Sequence, residues 1–186
     1  MRKVIFQNLI SLDGYFEGQD REIDWQNVDN ELNEYTLAFL DTVDTMIFGR
    51  VTYELMAGYW PTEDAMRNEP ETAKKLNKLQ KIVFSKSLPS ARWSNSTLLR
   101  DDIAENVEKL KNSTGKDIAI FGSSDLATAL IPSLLIDELN IIINPVILGK
   151  SKQLFSGIGG KLDLNLQSTR VFRSGNVLLS YSPLVA

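Results

Sequence analysis

The chain has 186 residues, a net charge of −4 at pH 7, 43% hydrophobic residues, and neither cysteine nor histidine. The missing thiols exclude disulfides and thiolate metal sites, and the missing imidazoles remove the commonest general base and metal ligand, so no metal site is expected. The acidic balance argues against nucleic acid as a partner, and no apolar run approaches the roughly 20 residues of a membrane span.

Strands and helices alternate through the first two thirds of the sequence. Apolar periodicity predicts strands over 4–12, 45–48, 81–84 and 117–121. It predicts helices over 25–43, with Asp29 or Asn30 as the cap, and over 52–57, 70–79, 101–111 and 126–131. Parallel strands need connections of this length, so we expect an α/β fold with a mostly parallel central sheet and helices on both faces.

The last third of the chain has a different pattern. Strands are predicted over 139–143, 162–166, 171–173 and 177–181, with a three-residue turn at 174–176 and a glycine-containing loop over 149–160. The sheet is therefore expected to end with antiparallel strands. No linker or repeat divides the chain, and the first strand turns polar at Gln7, too early for a signal peptide. We expect one cytoplasmic domain over residues 1–186.

Two junctions between a strand and a helix carry the functional signal. Each apolar run ends at a glycine, Gly49 in one and Gly122 in the other, and the chain then enters a helix. A glycine lets the backbone approach a ligand closely, while the free amides and positive dipole of a helix start attract anions. The two junctions are candidates for holding one phosphate-bearing cofactor.

A simpler interpretation of the junctions stays open. The glycines would only permit tight turns, with Thr52 and Ser123 or Ser124 capping the helices. Arg50 favours the anion site, because its positive charge opposes the dipole of an empty helix start. Asp125 favours the simpler interpretation, because its negative charge suits an empty helix start.

Four motifs occur in an order that resembles the dihydrofolate reductase-like superfamily. They span residues 11–14, 49–54, 121–123 and 137–149. The chain is most similar to the group containing the C-terminal reductase domain of the bifunctional riboflavin-biosynthesis deaminase-reductase and its stand-alone bacterial relatives. The resemblance implies a three-layer α/β/α fold with antiparallel C-terminal strands, NADPH as hydride donor, and a homodimer.

The resemblance also implies which residues bind the cofactor. The first junction would hold the adenosine 2′-phosphate and part of the pyrophosphate, through Gly49, Arg50 and Thr52. The strand end at Ser85 and Lys86 would flank the adenosine. The second junction would hold the pyrophosphate from the opposite side, through Phe121, Gly122, Ser123, Ser124 and Leu126. The nicotinamide would lie against Leu9, Ile10 and the 11–14 turn.

The chain departs from the resembled families at two positions, and its 49–54 motif, which riboflavin reductases tend to lack, is closer to the dihydrofolate reductase form. Riboflavin reductases usually carry a lysine four residues before the serine of the Ser-Leu-Asp-Gly motif, where this chain has Gln7. Dihydrofolate reductases usually have two glycines at the second junction, where this chain has Gly122 and Ser123. The cofactor is therefore better supported by the resemblance than any one substrate.

A proton donor and a substrate pocket are harder to identify. Glu31 is our candidate acid on the first long helix and Asp13 is its rival, although a solvated helix residue and an Asp-Gly turn explain them without catalysis. An aromatic pocket for a flat heterocycle would use Tyr15, Trp25, Tyr35 and Trp60, which could equally be core or rim residues.

Three functions follow from this sequence. The leading hypothesis is an NADPH-dependent reductase of a small planar nitrogen heterocycle, such as a pterin or an aminopyrimidine. The second is 5-amino-6-(5-phosphoribosylamino)uracil reductase in riboflavin biosynthesis, which Gln7 disfavours. The third is a non-catalytic NADP(H)-binding or sensor protein, because no catalytic carboxylate stands out.

Overall fold

The computed structural model describes residues 1–184 and contains ten strands and six α-helices in that range. The strands are β1 (Val4–Ser11), β2 (Tyr15–Glu17), β3 (Val43–Gly49), β4 (Gln80–Phe84), β5 (Ser96–Leu99), β6 (Asp117–Phe121), β7 (Glu138–Asn144), β8 (Lys152–Gln153), β9 (Leu164–Val171) and β10 (Val177–Pro183). The helices are α1 (Asn30–Thr42), α2 (Arg50–Tyr59), α3 (Glu63–Asn68), α4 (Pro70–Lys78), α5 (Ile103–Asn112) and α6 (Ser124–Leu130), the last followed by a 3-10 turn (Ile131–Ser133).

Eight strands form one sheet in the order β5-β4-β3-β6-β1-β7-β10-β9. The first six are mutually parallel, β10 runs antiparallel to β7, and β9 runs antiparallel to β10. The expected mostly parallel sheet with antiparallel C-terminal strands is confirmed. The carboxyl ends of all six parallel strands therefore lie along one edge of the sheet.

Helices cover both faces of the sheet, which explains the long apolar runs in the parallel strands. In β3, Ile47 packs on the face covered by α5 and α6, while Met46 and Phe48 pack on the face covered by α1, α2 and α4. All three side chains have no measurable exposure. Within residues 1–184, no helix is both long and apolar enough to cross a membrane.

Several boundaries differ from the sequence expectation. Helix α1 begins at Asn30 rather than at 25, because the Asp29 carboxylate accepts a hydrogen bond from the Leu32 amide at 2.9 Å and caps the helix there. Helix α2 extends to both sides of the predicted 52–57. Helix α3 and strands β2, β5 and β8 were not predicted, since elements of two to six residues carry too little periodicity.

The C-terminal hairpin also differs. The predicted strands at 162–166 and 171–173 are replaced by one strand, β9, that joins β10 through residues 172–176. Every residue of β9 is exposed. Leu164 and Leu166 therefore do not enter the core of the chain, whereas Leu162, before the strand, packs against it.

Candidate active site

The two glycine junctions lie side by side at the carboxyl edge of the sheet. Strands β3 and β6 are hydrogen-bonded neighbours, with Ile47 opposite Ile120. The amide of Gly49 donates a hydrogen bond to the hydroxyl of Ser123 at 3.0 Å, so the first residues of one junction contact those of the other. Segments 74 residues apart in sequence thus form one surface.

Gly122 has a structural requirement for glycine that Gly49 does not share. Its φ of +65° is a left-handed conformation, and an added Cβ would lie 3.2 Å from the Cγ2 of Thr52. At Gly49 the nearest atom to an added Cβ would be 3.8 Å away, and φ is an ordinary −79°. The structure alone therefore explains the glycine at 122 but not the glycine at 49.

A cleft of about 440 Å³ opens beside these junctions. It is lined by Phe16, Glu17, Arg21, Gly49, Arg50, Val51, Thr52, Phe84, Ile103, Gly122, Ser123, Ser124, Asp125, Leu126 and Lys152. One wall is apolar, with Phe84, Ile103 and Leu126 continuing into the core under α5 and α6. The opposite rim carries basic side chains, so the cleft offers a flat apolar surface beside positive charge.

The start of helix α2 faces this cleft without a side-chain cap. Its N-cap is Gly49, which has no side chain to accept the first amides, and Arg50 is the first helical residue. The Arg50 guanidinium lies 2.7 Å from the carboxylate of Glu54, and both side chains are partly exposed. The helix start therefore combines free amide donors with a cation whose present partner is only a surface carboxylate.

The second rim of the cleft comes from the small β2–β8 sheet and the loop after it. Lys152 lies 2.7 Å from the carboxylate of Asp125 and 5.6 Å from the ring centre of Phe16. The ammonium of Lys152 neutralises the negative charge of Asp125. The second junction can therefore accept an anion despite that carboxylate. Arg21, Phe16 and Lys152 were not among the predicted cofactor residues, since the short strands that position two of them have no sequence signature.

Five of the predicted cofactor residues do not line this cleft. Ile10 is buried in the core, and Leu9 packs against the cluster under α1. Phe121 packs edge-on against Phe39 at 5.7 Å. The Ser85 hydroxyl accepts hydrogen bonds from two following amides, and the Lys86 carbonyl accepts one from Arg100. The cleft contains Phe84 in place of these last two residues.

Asp13 connects two of the motifs found in the sequence. Its carboxylate accepts hydrogen bonds from the Ser11 hydroxyl at 2.6 Å and from the amides of Leu148 and Gly149 at 3.1 and 2.8 Å. The Ser11 hydrogen bond, followed by those two amides, lowers the pKa of Asp13 below its ordinary value despite some desolvation. Asp13 is thus held as a carboxylate that fastens the loop after β1 to the loop after β7, which is not the environment of a proton donor.

Glu31 has a similar structural environment. Its carboxylate accepts hydrogen bonds from the Arg173 amide at 2.9 Å and from the Arg170 guanidinium at 3.1 Å. The Arg173 amide contributes most to lowering the pKa of Glu31. The side chain anchors the C-terminal hairpin to α1, and the expectation of an acid at this position finds no support in its contacts.

The four aromatic residues predicted to form a substrate pocket do not come together. Trp60 stacks edge-on with Tyr59 at 5.1 Å beyond the end of α2, and the Trp25 indole donates to the Glu22 carbonyl in a surface loop. Tyr15 belongs to β2, paired with β8. Phe16, the next residue of β2, lines the cleft together with Phe84, because the alternation of the strand turns Phe16 and Tyr15 to opposite sides.

Tyr35 instead belongs to α1, and its side chain reaches Gln7. Its hydroxyl is 3.3 Å from the side-chain oxygen of Gln7, which is itself only 2% exposed. Burial, aided by the charge of Glu138, raises the pKa of Tyr35 to about 12. The phenol therefore stays protonated and donates to Gln7, forming a neutral buried pair.

Comparison with known proteins extends these observations. The model of the RibD C-terminal domain family matches residues 2–179. YyaP of Bacillus subtilis (strain 168), an uncharacterized protein, is 34% identical over 180 residues that cover 97% of this chain and 94% of YyaP.

Two solved structures share the fold. A putative riboflavin biosynthesis protein from Shewanella sp. PV-4 has a TM-score of 0.75 at 20% identity, over 98% of this chain and 99% of that one. Dihydrofolate reductase from Enterococcus faecalis, in a complex with NADP(H), has a TM-score of 0.64 at 16% identity, over 97% and 96% of the two chains.

Proposed function

This chain belongs to the RibD C-terminal domain family, and we propose that it is an NADPH-dependent reductase of a small planar nitrogen heterocycle of the pyrimidine or pterin kind. The observation that carries the proposal is the contact between the two glycine junctions. The hydrogen bond from Gly49 to Ser123 brings both helix starts to one end of the 440 Å³ cleft. Such an arrangement suits a ligand with two separate phosphate groups.

The residues of the cleft fit the phosphate groups of NADPH. The uncapped amides of α2 and the guanidinium of Arg50 would hold the 2′-phosphate, and the backbone of residues 122–124 would hold the pyrophosphate. Glycine at 49, which the fold itself does not require, leaves room for a phosphate against the backbone. When bound, NADPH supplies a hydride, and the protein orients the two reactants and excludes water.

Water is the proton donor that the site supports best. Asp13 and Glu31 both have lowered pKa values because hydrogen bonds stabilise their charged forms, so neither carries a proton near neutral pH. The chain has no histidine to replace them. We therefore propose that solvent protonates the substrate nitrogen while the protein positions the ring.

The substrate is better described by a free heterocycle than by the phosphoribosylated pyrimidine of riboflavin synthesis. The resembled riboflavin reductases would carry a lysine where this chain has Gln7. Gln7 is buried and its side chain pairs with Tyr35, so no cation stands at that position. The phosphoribosylaminouracil reductase therefore remains the second candidate.

Tryptophan fluorescence provides the first test, because the chain has three tryptophans. Titration with NADPH should quench the emission, and loss of NADPH absorbance should follow addition of a substrate from a panel of dihydropterins, aminopyrimidines and quinonoid compounds. No quenching would refute the cofactor assignment. Binding without oxidation across the whole panel would instead identify a non-catalytic NADP(H)-binding protein.

We also propose that the protein acts in the cytoplasm as a homodimer, as the resemblance to the riboflavin reductases implies. The mass of the protein in solution directly tests the homodimer.

A further inference from the structure

Strand β1 contains a buried donor that the described chain leaves without an acceptor. The Asn8 side chain is only 6% exposed, and within residues 1–184 its Nδ2 has no hydrogen-bond partner. The residues on either side of it along the same face of the strand, Phe6 and Ile10, are apolar. Most buried polar side-chain atoms in proteins are paired, because an unpaired donor destabilises the fold. The packing of the chain therefore does not explain this carboxamide.

Asn8 lies on the face of the sheet where the cleft opens. Phe6 and Ile10 pack on the face covered by α5 and α6, and side chains alternate along a strand, so the Asn8 carboxamide points to that face too. Leu126, on the apolar wall of the cleft, belongs to the same core cluster. The carboxamide and the cleft are therefore on one side of the sheet.

Strands β1 and β6 separate at the position of Asn8. Their pairing ends with Gln7 opposite Phe121, and the next contact, from the Gly122 amide to the Gln7 carbonyl, is 3.4 Å long. Strand β1 then continues beside β7 as far as Ser11, while the chain after β6 turns away into α6. Asn8 is thus the first residue of β1 past the last pair with β6. Its neighbour across the gap, Gly122, lines the cleft and has no side chain to cover the carboxamide.

The order of the strands predicts which part of the cofactor reaches Asn8. The first junction follows β3, the second follows β6, and the next strand in the sheet is β1. A cofactor with its 2′-phosphate at Arg50 and its pyrophosphate at residues 122–124 therefore extends toward β1 with its nicotinamide half. That half carries ribose hydroxyls and a carboxamide oxygen. A neutral amide suits such oxygens, because the hydrogen bond leaves no buried charge unpaired.

We infer that Asn8 binds the nicotinamide nucleoside of the cofactor, with its Nδ2 donating to a ribose hydroxyl or to the nicotinamide carboxamide oxygen. The inference rests on the proposed function, because it places NADPH in the cleft. The free protein holds a donor without an acceptor, and the cofactor supplies the acceptor. Asn8 therefore contributes to affinity only for ligands that contain the nicotinamide half.

Three ligands of increasing length test the inference by calorimetry. Adenosine 2′,5′-bisphosphate lacks the nicotinamide nucleoside, 2′-phospho-ADP-ribose adds the ribose, and NADPH adds the ring. Asn8→Leu should bind NADPH roughly 5- to 100-fold more weakly than wild type, because the buried oxygen of the ligand loses its donor. Its affinity for adenosine 2′,5′-bisphosphate should be unchanged. A loss that begins with 2′-phospho-ADP-ribose assigns the contact to the ribose, and a loss that appears only with NADPH assigns it to the nicotinamide carboxamide.

Two further variants show whether the effect is specific to this side chain. Asn8→Ala adds no atoms, so the same pattern of affinities in this variant excludes crowding by leucine as the cause. Asn140→Leu is the matched control, because Asn140 is 4% exposed and its Oδ1 likewise has no partner among the described residues. Asn140 is paired with Gln7 and so shares the opposite face, under α1. Asn140→Leu should bind all three ligands as the wild type does.

Urea unfolding of the free protein separates a binding role from a structural one. Asn8→Leu should keep the wild-type midpoint or raise it, because no described residue accepts a hydrogen bond from the Asn8 Nδ2. A structural role would instead lower the midpoint and weaken all three ligands equally, which would overturn the inference. Wild-type affinity for NADPH in both Asn8 variants would overturn it too. Failure of the wild type to bind NADPH would refute the proposed function itself.

Discussion

Replacing Arg50 with alanine should weaken the binding of NADPH much more than the binding of NADH. Arg50 is the first residue of α2, lines the cleft, and is 2.7 Å from Glu54. In the proposed complex its guanidinium turns from Glu54 to the 2′-phosphate, a group that NADH lacks. The alanine variant therefore loses a contact that only NADPH makes.

The expected size follows from the two interactions that Arg50 exchanges. A hydrogen bond to a charged group contributes about 1.5 to 3 kcal/mol, and giving up the exposed pair with Glu54 costs about 0.5 kcal/mol. The difference is about 1 to 2.5 kcal/mol, so the dissociation constant for NADPH should be roughly 5- to 70-fold larger in the variant. The dissociation constant for NADH should change by about twofold or less.

Tryptophan quenching measures both dissociation constants, and three variants sharpen the result. Glu54→Gln should tighten NADPH binding by about twofold, because it removes the carboxylate that competes with the phosphate. Arg50→Lys should bind NADPH with an affinity between those of the wild type and Arg50→Ala, since lysine keeps the positive charge but lacks the planar guanidinium. Arg67→Ala is the matched control, because Arg67 is an exposed helical arginine paired with Asp64. Equal losses for NADPH and NADH in Arg50→Ala would refute the reasoning.

Further substitutions test the fold around the cleft. Gly122→Ala should destabilise the protein by about 1 to 2 kcal/mol, because Gly122 has a left-handed φ. Gly49→Ala should hardly change the urea midpoint, yet it should weaken NADPH binding. Equal urea midpoints for the two variants would contradict this reasoning. Asp13→Asn should lower the melting temperature at pH 7. The pKa of Asp13 is lowered in the folded state, so its carboxylate stabilises the folded protein at pH values above the ordinary pKa of 3.8. The wild type loses this stabilisation as the pH falls through the folded pKa, and the melting temperatures of the two proteins should therefore become equal in acid. The buried ammonium of Lys81 donates to three backbone carbonyls 2.7 to 3.2 Å away, so Lys81→Met should cost about 2 to 4 kcal/mol in urea unfolding. Burial lowers the pKa of Lys81 to about 8 from 10.5, so the unfolded chain binds more protons between these values, and the wild type should gain stability relative to Lys81→Met as the pH rises from 8 to 10.5.

The parts of the fold that could be predicted are those with long periodic signals. Strand β3 and helix α5 carry enough apolar repeats to be found from sequence, and the order of alternating elements gave the parallel sheet. The start of α1 was placed too early because Trp25 matched the helical period. Asp29, one of the two predicted caps, accepts a hydrogen bond from the Leu32 amide and starts the helix there, a boundary that the apolar period alone does not mark.

The candidate site, like the fold, could be predicted only in part. The glycine junctions were found because glycine before a helix has a direct physical meaning, and seven of the predicted residues line the cleft: Gly49, Arg50, Thr52, Gly122, Ser123, Ser124 and Leu126. The opposite rim was missed because Lys152 reaches it from a two-residue strand. The two candidate acids have contacts that the sequence does not show. Asp13 and Glu31 have the right side chains, but only the tertiary structure shows that backbone amides already occupy them.

The hydrogen bond from the Gly49 amide to the Ser123 hydroxyl makes the number of free donors at the start of α2 depend on a side chain from the other junction. A descendant in which Ser123 becomes glycine would lose the acceptor and release one more backbone donor at the start of α2. That donor would then be available to a bound phosphate, so a single substitution at position 123 would change the number of amides that donate hydrogen bonds to the cofactor. Because the donor is a backbone amide, this effect depends on the side chain at position 123 and not on the residue type at position 49.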